Sequence, residues 1–365
     1  MRLAYFTHSL VSCWNHGNAH FLRGVLTELQ ARGHDVVAYE PRSSWSRRNL
    51  VHDHGEAPLA EFREAFPTLR PRLYDYESVD VDALLDGVDV VIVHEWTEPW
   101  LVGAIGKARG SNRFKLLFHD THHRMATAPH QMQRYDLSAY DGILAYGQVI
   151  AELYAAQAYE AWTWHEAADT RVFTPLPAVE KRGDLVWVGN WGDGERTDEL
   201  HEFLLQPARK LKLRGSVFGV RYPSSAARAV AKSGLTYRGW VANARVPEIF
   251  AEHRVTVHVP RRPYRESLRG IPTIRPFEAL ACGIPLVSAP WEDAEGLFTP
   301  GRDFLVAHDG REMRTCLREL LADEDMARSL AEHGLRTIRS RHTCAHRVDE
   351  LLAICAEIGV RELAA

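Results

Sequence analysis

The sequence predicts an α/β protein built from two doubly wound halves, and three observations carry that prediction. Apolar, strand-like runs alternate with amphipathic helical segments twice over. The central runs of the two halves, VDVVIV at Val88 to Val93 and VTVHV at Val255 to Val259, are almost continuously apolar, as parallel strands covered on both faces are. A proline-bearing stretch, TPLPAVEKRG with Pro175 and Pro177, separates the two series as a linker. At 365 residues the chain has room for about two domains, each able to bury its own core.

Bulk chemistry narrows the function. The chain is 45% hydrophobic and 25% charged with a net charge of -4, which argues against a general nucleic-acid or membrane-surface binder. The five cysteines, Cys13, Cys282, Cys316, Cys344 and Cys355, are odd in number and form no CxxC pair. They indicate neither a disulfide framework nor a zinc ribbon, and a reducing cytoplasm is the expected compartment. The apolar run of MRLAYFTHSL is too short for a signal peptide, and no stretch approaches the ~20 apolar residues of a membrane span.

In the first half, Leu3 to Thr7 reads as a strand. Phe21, Leu22, Val25, Leu26 and Leu29 then share one helical face closed by Gly33, and His34 to Tyr39 reads as a second strand. That is the opening of a Rossmann-like domain, so the intervening loop HSLVSCWNHGN lies at the sheet's carboxyl edge, where such folds bind ligands. Gly17 would let backbone approach a phosphate or sugar and Asn18 would cap the helix; a plain capped turn is the alternative. Pro41 to Tyr76 reads as irregular, either an acceptor loop or plain surface.

Val88 to Val93 ends in His94-Glu95, Pro99 to Ala108 reads as a helix, and Phe114 to Phe118 as a strand ending in HDTHHR. His119, Asp120, His122 and His123 therefore gather at one strand end, but no further zinc-type ligand set follows and no metal is expected. Gly142 to Ala145 is a strand, Gln148 to Gln157 a helix, and Trp162 to His165 a short strand entering HEAADTRVF, which departs from the HExxH zinc motif at Asp169.

The second half restarts with a strand at Leu185 to Val188, the glycine-rich loop NWGDGER and a helix at Leu200 to Leu213. Further strands follow at Ser216 to Val220, Leu235 to Trp240 and Val255 to Val259, with helices at Ala226 to Lys232 and Pro247 to His253. After an arginine-studded loop (Arg261, Arg262, Arg265, Arg269) comes GIPTIRPFEALACGIPLVSAP, Gly270 to Pro290. Pro276 sits early in its short helix, and Gly283 with Pro285 ends it.

The first free N–H groups of that helix, near Thr273 and Ile274, make an anion seat from backbone alone. Arg269 and Arg275 would complete a diphosphate site, and Asn190 and Arg196 of the glycine-rich loop would bring further donors to it. Glu278, about one turn in, is placed to accept two hydroxyls of a ribose. An ordinary βαβ corner with a paired glutamate is the plainer reading of the same residues.

PFEALACGIPLVS resembles the nucleotide-sugar signature of GT-B glycosyltransferases, and GIPTIRPFEALACG is most similar to their CgeB-like branch within the wider GT4-like, group 1 families. The resemblance implies a GT-B fold, two Rossmann-like domains facing across a cleft with a C-terminal helix crossing back to the N-terminal domain. Residues 1–175 would bind acceptor, 176–345 the nucleotide sugar, and 346–365 would form the crossover helix.

It further implies a metal-independent, retaining transferase with no tightly bound cofactor. The donor would be a UDP-sugar foremost, with GDP- and ADP-sugars as alternatives, and the acceptor a small molecule, glycan or protein rather than nucleic acid. His119, and next His122, would stand against the donor sugar, and Trp240 or Val241 would face the base. Retaining families carry two glutamates eight positions apart. The second matches Glu278, whereas the first position is Gly270. Should the reaction invert, His16 is the candidate base. The rival readings are a nucleotide-sugar epimerase using Glu95, Asp120 or Glu166, and a catalytically silent sugar-nucleotide-binding protein.

Overall fold

Parallel strands form where the unbroken apolar runs require cover on both faces. The structure, a computed structural model, describes residues 1–110, 113–176 and 179–360. Pro177 of the expected linker and residues 361–365 of the expected crossover segment lie outside the described residues. Two compact units result, Met1–Glu166 with the segment from Cys344 onward, and Ala167–Thr343.

The first unit holds a parallel sheet of β1 (Arg2–Phe6), β2 (Asp35–Pro41), β3 (Arg72–Tyr74), β4 (Val90–His94), β5 (Lys115–Asp120), β6 (Gly142–Ala145) and β7 (Ala161–Thr163). The spatial order is β3-β2-β1-β4-β5-β6-β7. The order reverses between β1 and β4, so the carboxyl ends of those two strands flank the place where such sheets take ligands.

The helix Ala19–Ala31 buries Phe21, Leu22, Val25, Leu26 and Leu29 as its periodicity predicts. Asn18 occupies its N-cap position without capping it, because the side-chain amide donates to Glu166 instead, at 2.9 Å. The last helix, Cys344–Glu357, packs on Ala19–Ala31 within this same unit, and the wholly buried Trp164 donates its indole N–H to the Arg347 carbonyl at 2.8 Å.

The stretch read as irregular between Pro41 and Tyr76 contains two helices, Trp45–His54 and Ala57–Ala65, before β3. Only Ser46 and Leu50 of the first are buried, which leaves almost no apolar periodicity to read; its start is fixed instead by Ser44, whose hydroxyl accepts from the Arg47 N–H.

The second unit holds β8 (Gly183–Val188), β9 (Gly215–Phe218), β10 (Thr236–Gly239), β11 (His253–His258), β12 (Leu286–Ser288) and β13 (Leu305–Val306), all parallel, in the order β10-β9-β8-β11-β12-β13. Leu185, Trp187, Val217, Val255, Val257 and Val287 form its core with Leu200, Phe203, Met313 and Leu317. The expected helix at 200–213 is broken into Thr197–Leu200, a π-helical turn His201–Leu205, and Gln206–Leu211. Pro207 is the cause: it lacks an N–H and its ring would crowd the carbonyl of Phe203, so the ladder widens by one residue just before it. No helix among the described residues is long and apolar enough to cross a membrane.

Candidate functional site

In the second unit the order reverses between β8 and β11, and the helix Ile274–Ala281 begins just beyond β11. Thr273 stands at its N-cap, but the Thr273 side chain does not cap. Its hydroxyl meets His258 Nε2 at 3.2 Å, while His258 Nδ1 meets Ser288 Oγ at 3.0 Å. Because the Ser288 hydroxyl donates to the Ala289 carbonyl, it must accept from Nδ1–H, and Nε2 is then the acceptor for Thr273. His258 is therefore neutral, in keeping with its pKa being driven down to about 3 by burial, with Arg196 and Arg275 adding to the effect. The backbone N–H groups of Ile274 and Arg275 meet no acceptor among the described residues.

Glu278, expected to accept two ribose hydroxyls, is engaged by protein groups here. Its side chain is 0% exposed, ion-paired with Arg275 and hydrogen-bonded by the Asn243 amide at 3.3 Å. A ribose reaches this carboxylate only by taking it over from Arg275, whose own side chain is 16% exposed.

Arg196 departs from expectation as well. Its guanidinium lies over Trp187 and donates to the carbonyls of Val259 and Asn190, at 2.9 and 2.6 Å, so it ties the glycine-rich loop to the end of β11 rather than reaching outward. Burial, then the nearby Arg261 and Arg275, lower its pKa to about 9. The Asn190 side chain is likewise engaged, accepting from the Val220 N–H at 2.9 Å. Arg269 is largely exposed and pairs with Glu292, while Arg261 and Arg262 pair with Glu195 and Glu199.

Gly270, which stands where related motifs carry a glutamate, has φ +90, and a Cβ there would lie 2.7 Å from Glu295 Cγ and 2.9 Å from its carboxylate oxygen. The side chain of Glu295, from the loop after β12, thus lies directly against Gly270. A second glycine is forced by proximity: a Cβ on Gly219 would lie 2.2 Å from the Gly189 carbonyl oxygen, which holds the loops after β8 and β9 together. Trp240 and Val241 are partly exposed at the end of β10.

In the first unit, two buried charges fix the loop after β1. Glu40 accepts from the N–H groups of Leu10 and Val11 at 2.6 and 3.1 Å, and Arg23, lying against the adjoining rings of Phe62 and Phe66, donates to the carbonyls of the same two residues at 2.9 and 2.8 Å. The anchored loop brings His8 and His16 to ring centroids 4.1 Å apart, each about 6 Å from His94 at the end of β4. Gly17 lies in the same loop, partly exposed.

The His16 ring hydrogen-bonds the Ser9 backbone, and its Nε2 is buried without a partner. The bond to Ser9 therefore uses Nδ1–H, leaving the Nε2 lone pair available. Burial foremost, then His8 and Arg23, hold His16 well below its usual pKa, so the ring stays neutral.

His119, expected against the donor sugar, is 1% exposed, bonded to the Tyr5 hydroxyl at 2.5 Å and packed on Phe21 and Trp164. His122, one turn beyond, is partly exposed beside Trp96, with ring centroids 5.2 Å apart. Sequence reasoning passed over His8 and His94, although the reversal between β1 and β4 would have singled out both. Glu95 and Asp120 are fully buried, with Glu95 pushed up to about 8 and Asp120 to about 6, in each case chiefly by burial. Among the described residues no group of three or more His, Cys, Asp or Glu side chains is placed to hold a metal ion.

Residues 196–353 match the family described as glycosyl transferase-like. No curated protein sequence matches the chain. Among solved structures the chain is similar to a glycosyltransferase from Rickettsia africae ESF-5, with TM-score 0.68 at 11% identity over 98% of each chain. It is similar to Anabaena Alr3699/HepE in complex with UDP and glucose, with TM-score 0.68 at 11% identity over 98% of this chain and 99% of that one. It also resembles T4 phage BGT in complex with UDP and Mn2+, with TM-score 0.62 at 13% identity over 98% of this chain and 100% of that one. At such identities the likeness is one of fold.

Proposed function

We propose, on the premise that this is a GT-B-fold chain whose second half is glycosyl transferase-like, that it moves a sugar from a nucleoside diphosphate donor, a UDP-sugar foremost, to an acceptor hydroxyl. The observation that carries this reading is the bare tip of the helix Ile274–Ala281 at the end of β11, where the Ile274 and Arg275 N–H groups meet no acceptor among the described residues and both Arg196 and Arg275 stand near His258. Bare N–H groups at a helix tip with arginines beside them are what a diphosphate would meet. UDP accompanies two of the similar structures, Alr3699/HepE and T4 phage BGT.

In the transfer, the bond from the anomeric carbon to the diphosphate oxygen breaks and its electron pair leaves with the diphosphate. The new bond forms from the acceptor oxygen, whose proton passes to a base. The N–H groups of Ile274 and Arg275 and the Arg275 guanidinium meet the departing charge, while Glu278, released by Arg275, takes the ribose hydroxyls. Glu295, seated against Gly270, is the carboxylate assigned to the donor sugar.

Retention asks least of the protein, because the leaving phosphate oxygen itself accepts the proton. Inversion is a second reading favoured by one observation, the neutral His16 with its unpartnered Nε2. The product anomer, read by NMR, separates them: retention with His16→Gln active supports the first, and inversion with a loss of about a hundredfold or more in His16→Gln supports the second.

Incubation with UDP-, GDP- and ADP-sugars, with and without acceptors and with EDTA, tests the whole. Acceptor-stimulated nucleotide release that persists in EDTA is the expected result. Isomerised sugar without acceptor would replace it with the epimerase reading, and saturable binding without turnover with the silent one.

A further inference from the structure

The carboxyl edge of the first sheet displays aromatic rings that neither the fold nor the donor site explains. Of the described residues, four large apolar side chains stand open to solvent, and three are tryptophans of this edge: Trp45 at 46%, Trp96 at 43% and Trp100 at 49%. Trp45 opens the helix after β2, whereas Trp96 and Trp100 follow β4. With the strand order β2-β1-β4, they flank the loop bearing His8 and His16 on both sides, across roughly 10 Å of strand ends. One indole in water is ordinary; three along one ligand-binding edge are not.

Each ring is braced from one side. Trp14 meets Trp45 edge-on at 5.0 Å and is itself held by a bond to Asp53 at 2.9 Å. Tyr76 meets Trp100 at 6.1 Å and leans on Tyr74. The Arg124 guanidinium lies 4.1 Å over Trp96, with His122 at its edge. Their orientation is thus set before any partner arrives, which lowers the entropy cost of binding.

The chemistry of the edge selects among partners. An aromatic face carries negative quadrupole charge and attracts polarised C–H groups. In the loop that the tryptophans flank, His8 Nδ1 and His16 Nε2 are buried without partners, polar atoms that a seated hydroxyl would satisfy. Of the charges nearby, Arg42 pairs with Asp75, Arg47 with Glu40 and His52 with Asp53, while Arg48 and Glu98 both act on Tyr76 with opposite sign, so no cationic excess awaits a polyanion. A ring with an apolar C–H face and a rim of hydroxyls satisfies all three conditions.

We propose that the acceptor is a saccharide chain, with Trp45 and Trp100 as stacking platforms for two of its sugar residues and the accepting hydroxyl presented to the His8–His16 loop. The word acceptor rests on the transferase reading; the saccharide site does not. The test is a glycan array of neutral and acidic oligosaccharides, followed by calorimetry with the best-bound glycan and, as a comparison, a 13-nucleotide single-stranded DNA, all without donor.

Expected are saturable glycan binding, a loss of about tenfold in affinity for Trp45→Ala and for Trp100→Ala, and recovery of most of it in Trp45→Phe and Trp100→Phe. No binding across the array, preference for the oligonucleotide, or alanine variants that bind like the parent would each overturn the proposal. Glycan binding without any turnover leaves it standing while the transferase reading fails. Transfer to an acceptor without sugar does the reverse.

Discussion

Replacing Glu278 by glutamine tests the donor site through a single atom. In the ligand-free chain this carboxylate is wholly enclosed by Arg275 and Asn243, and in the proposed complex it exchanges Arg275 for the two ribose hydroxyls. A hydrogen bond to a charged group contributes about 1.5–3 kcal/mol and a neutral one about 1. Glutamine offers one neutral acceptor oxygen where glutamate offers two charged ones, so one bond is lost and the other weakened. The loss is about 2–5 kcal/mol, so Kd for UDP should rise roughly 30-fold or more. The sharper readout is discrimination: calorimetry should show the parent binding UDP about tenfold more tightly than 2′-deoxy-UDP, and Glu278→Gln binding the two alike. A variant that keeps the parent's preference for UDP refutes the ribose assignment and reduces Glu278 to an anchor for Arg275.

Other outcomes follow from the same geometry. Glu295→Gln should lower kcat by about tenfold to a hundredfold in steady-state kinetics while UDP affinity stays as in the parent, since Glu295 adjoins Gly270 rather than the ribose carboxylate; an unchanged kcat removes it from the donor site. Glu40→Ala strips the partner from two buried N–H groups and from Arg47, so denaturant unfolding should show a loss of about 3–5 kcal/mol, and a loss under about 1 would mean the loop is held by other contacts.

Acid should destabilise the chain early. His8 at about 4, His119 and His258 at about 3, and His16 and His94 well below their usual value all stay neutral when folded, whereas the unfolded chain protonates them below about 6.5. Glu95 and Asp120 oppose this by keeping protons that the unfolded chain has released. The histidines outnumber the two carboxyls, so the unfolded chain binds more protons and stability falls as pH drops from 7 to 5. Thermal melts from pH 7 to 5 check it, and a flat profile would mean those rings are hydrated.

The fold was legible because buried parallel strands write themselves as apolar runs, and Val88 to Val93 and Val255 to Val259 both lie at the heart of their sheets. The short helix opening at Ile274 was equally plain from Pro276, Gly283 and Pro285. What local pattern does not carry is which group a polar side chain finds. Arg196 and Glu278 sit where their motif placed them, yet one donates to carbonyls and the other holds Arg275 and Asn243. His119 ends a strand in sequence but faces Tyr5, Phe21 and Trp164 across the unit, contacts that no spacing announces. The Glu295 carboxylate beside Gly270 comes from 25 residues downstream, and only the folded loop joins them.

The return of the helix Cys344–Glu357 to the first unit has a consequence for synthesis. Trp164 waits for the carbonyl of Arg347, and the helix Ala19–Ala31 for its neighbour, so the unit begun first on the ribosome cannot be finished until the second has emerged entirely. Residues 167–343 are contiguous and free to mature earlier, which inverts the usual N-to-C order of domain completion and leaves nascent chains stopped before Cys344 with an exposed apolar flank for chaperones to guard.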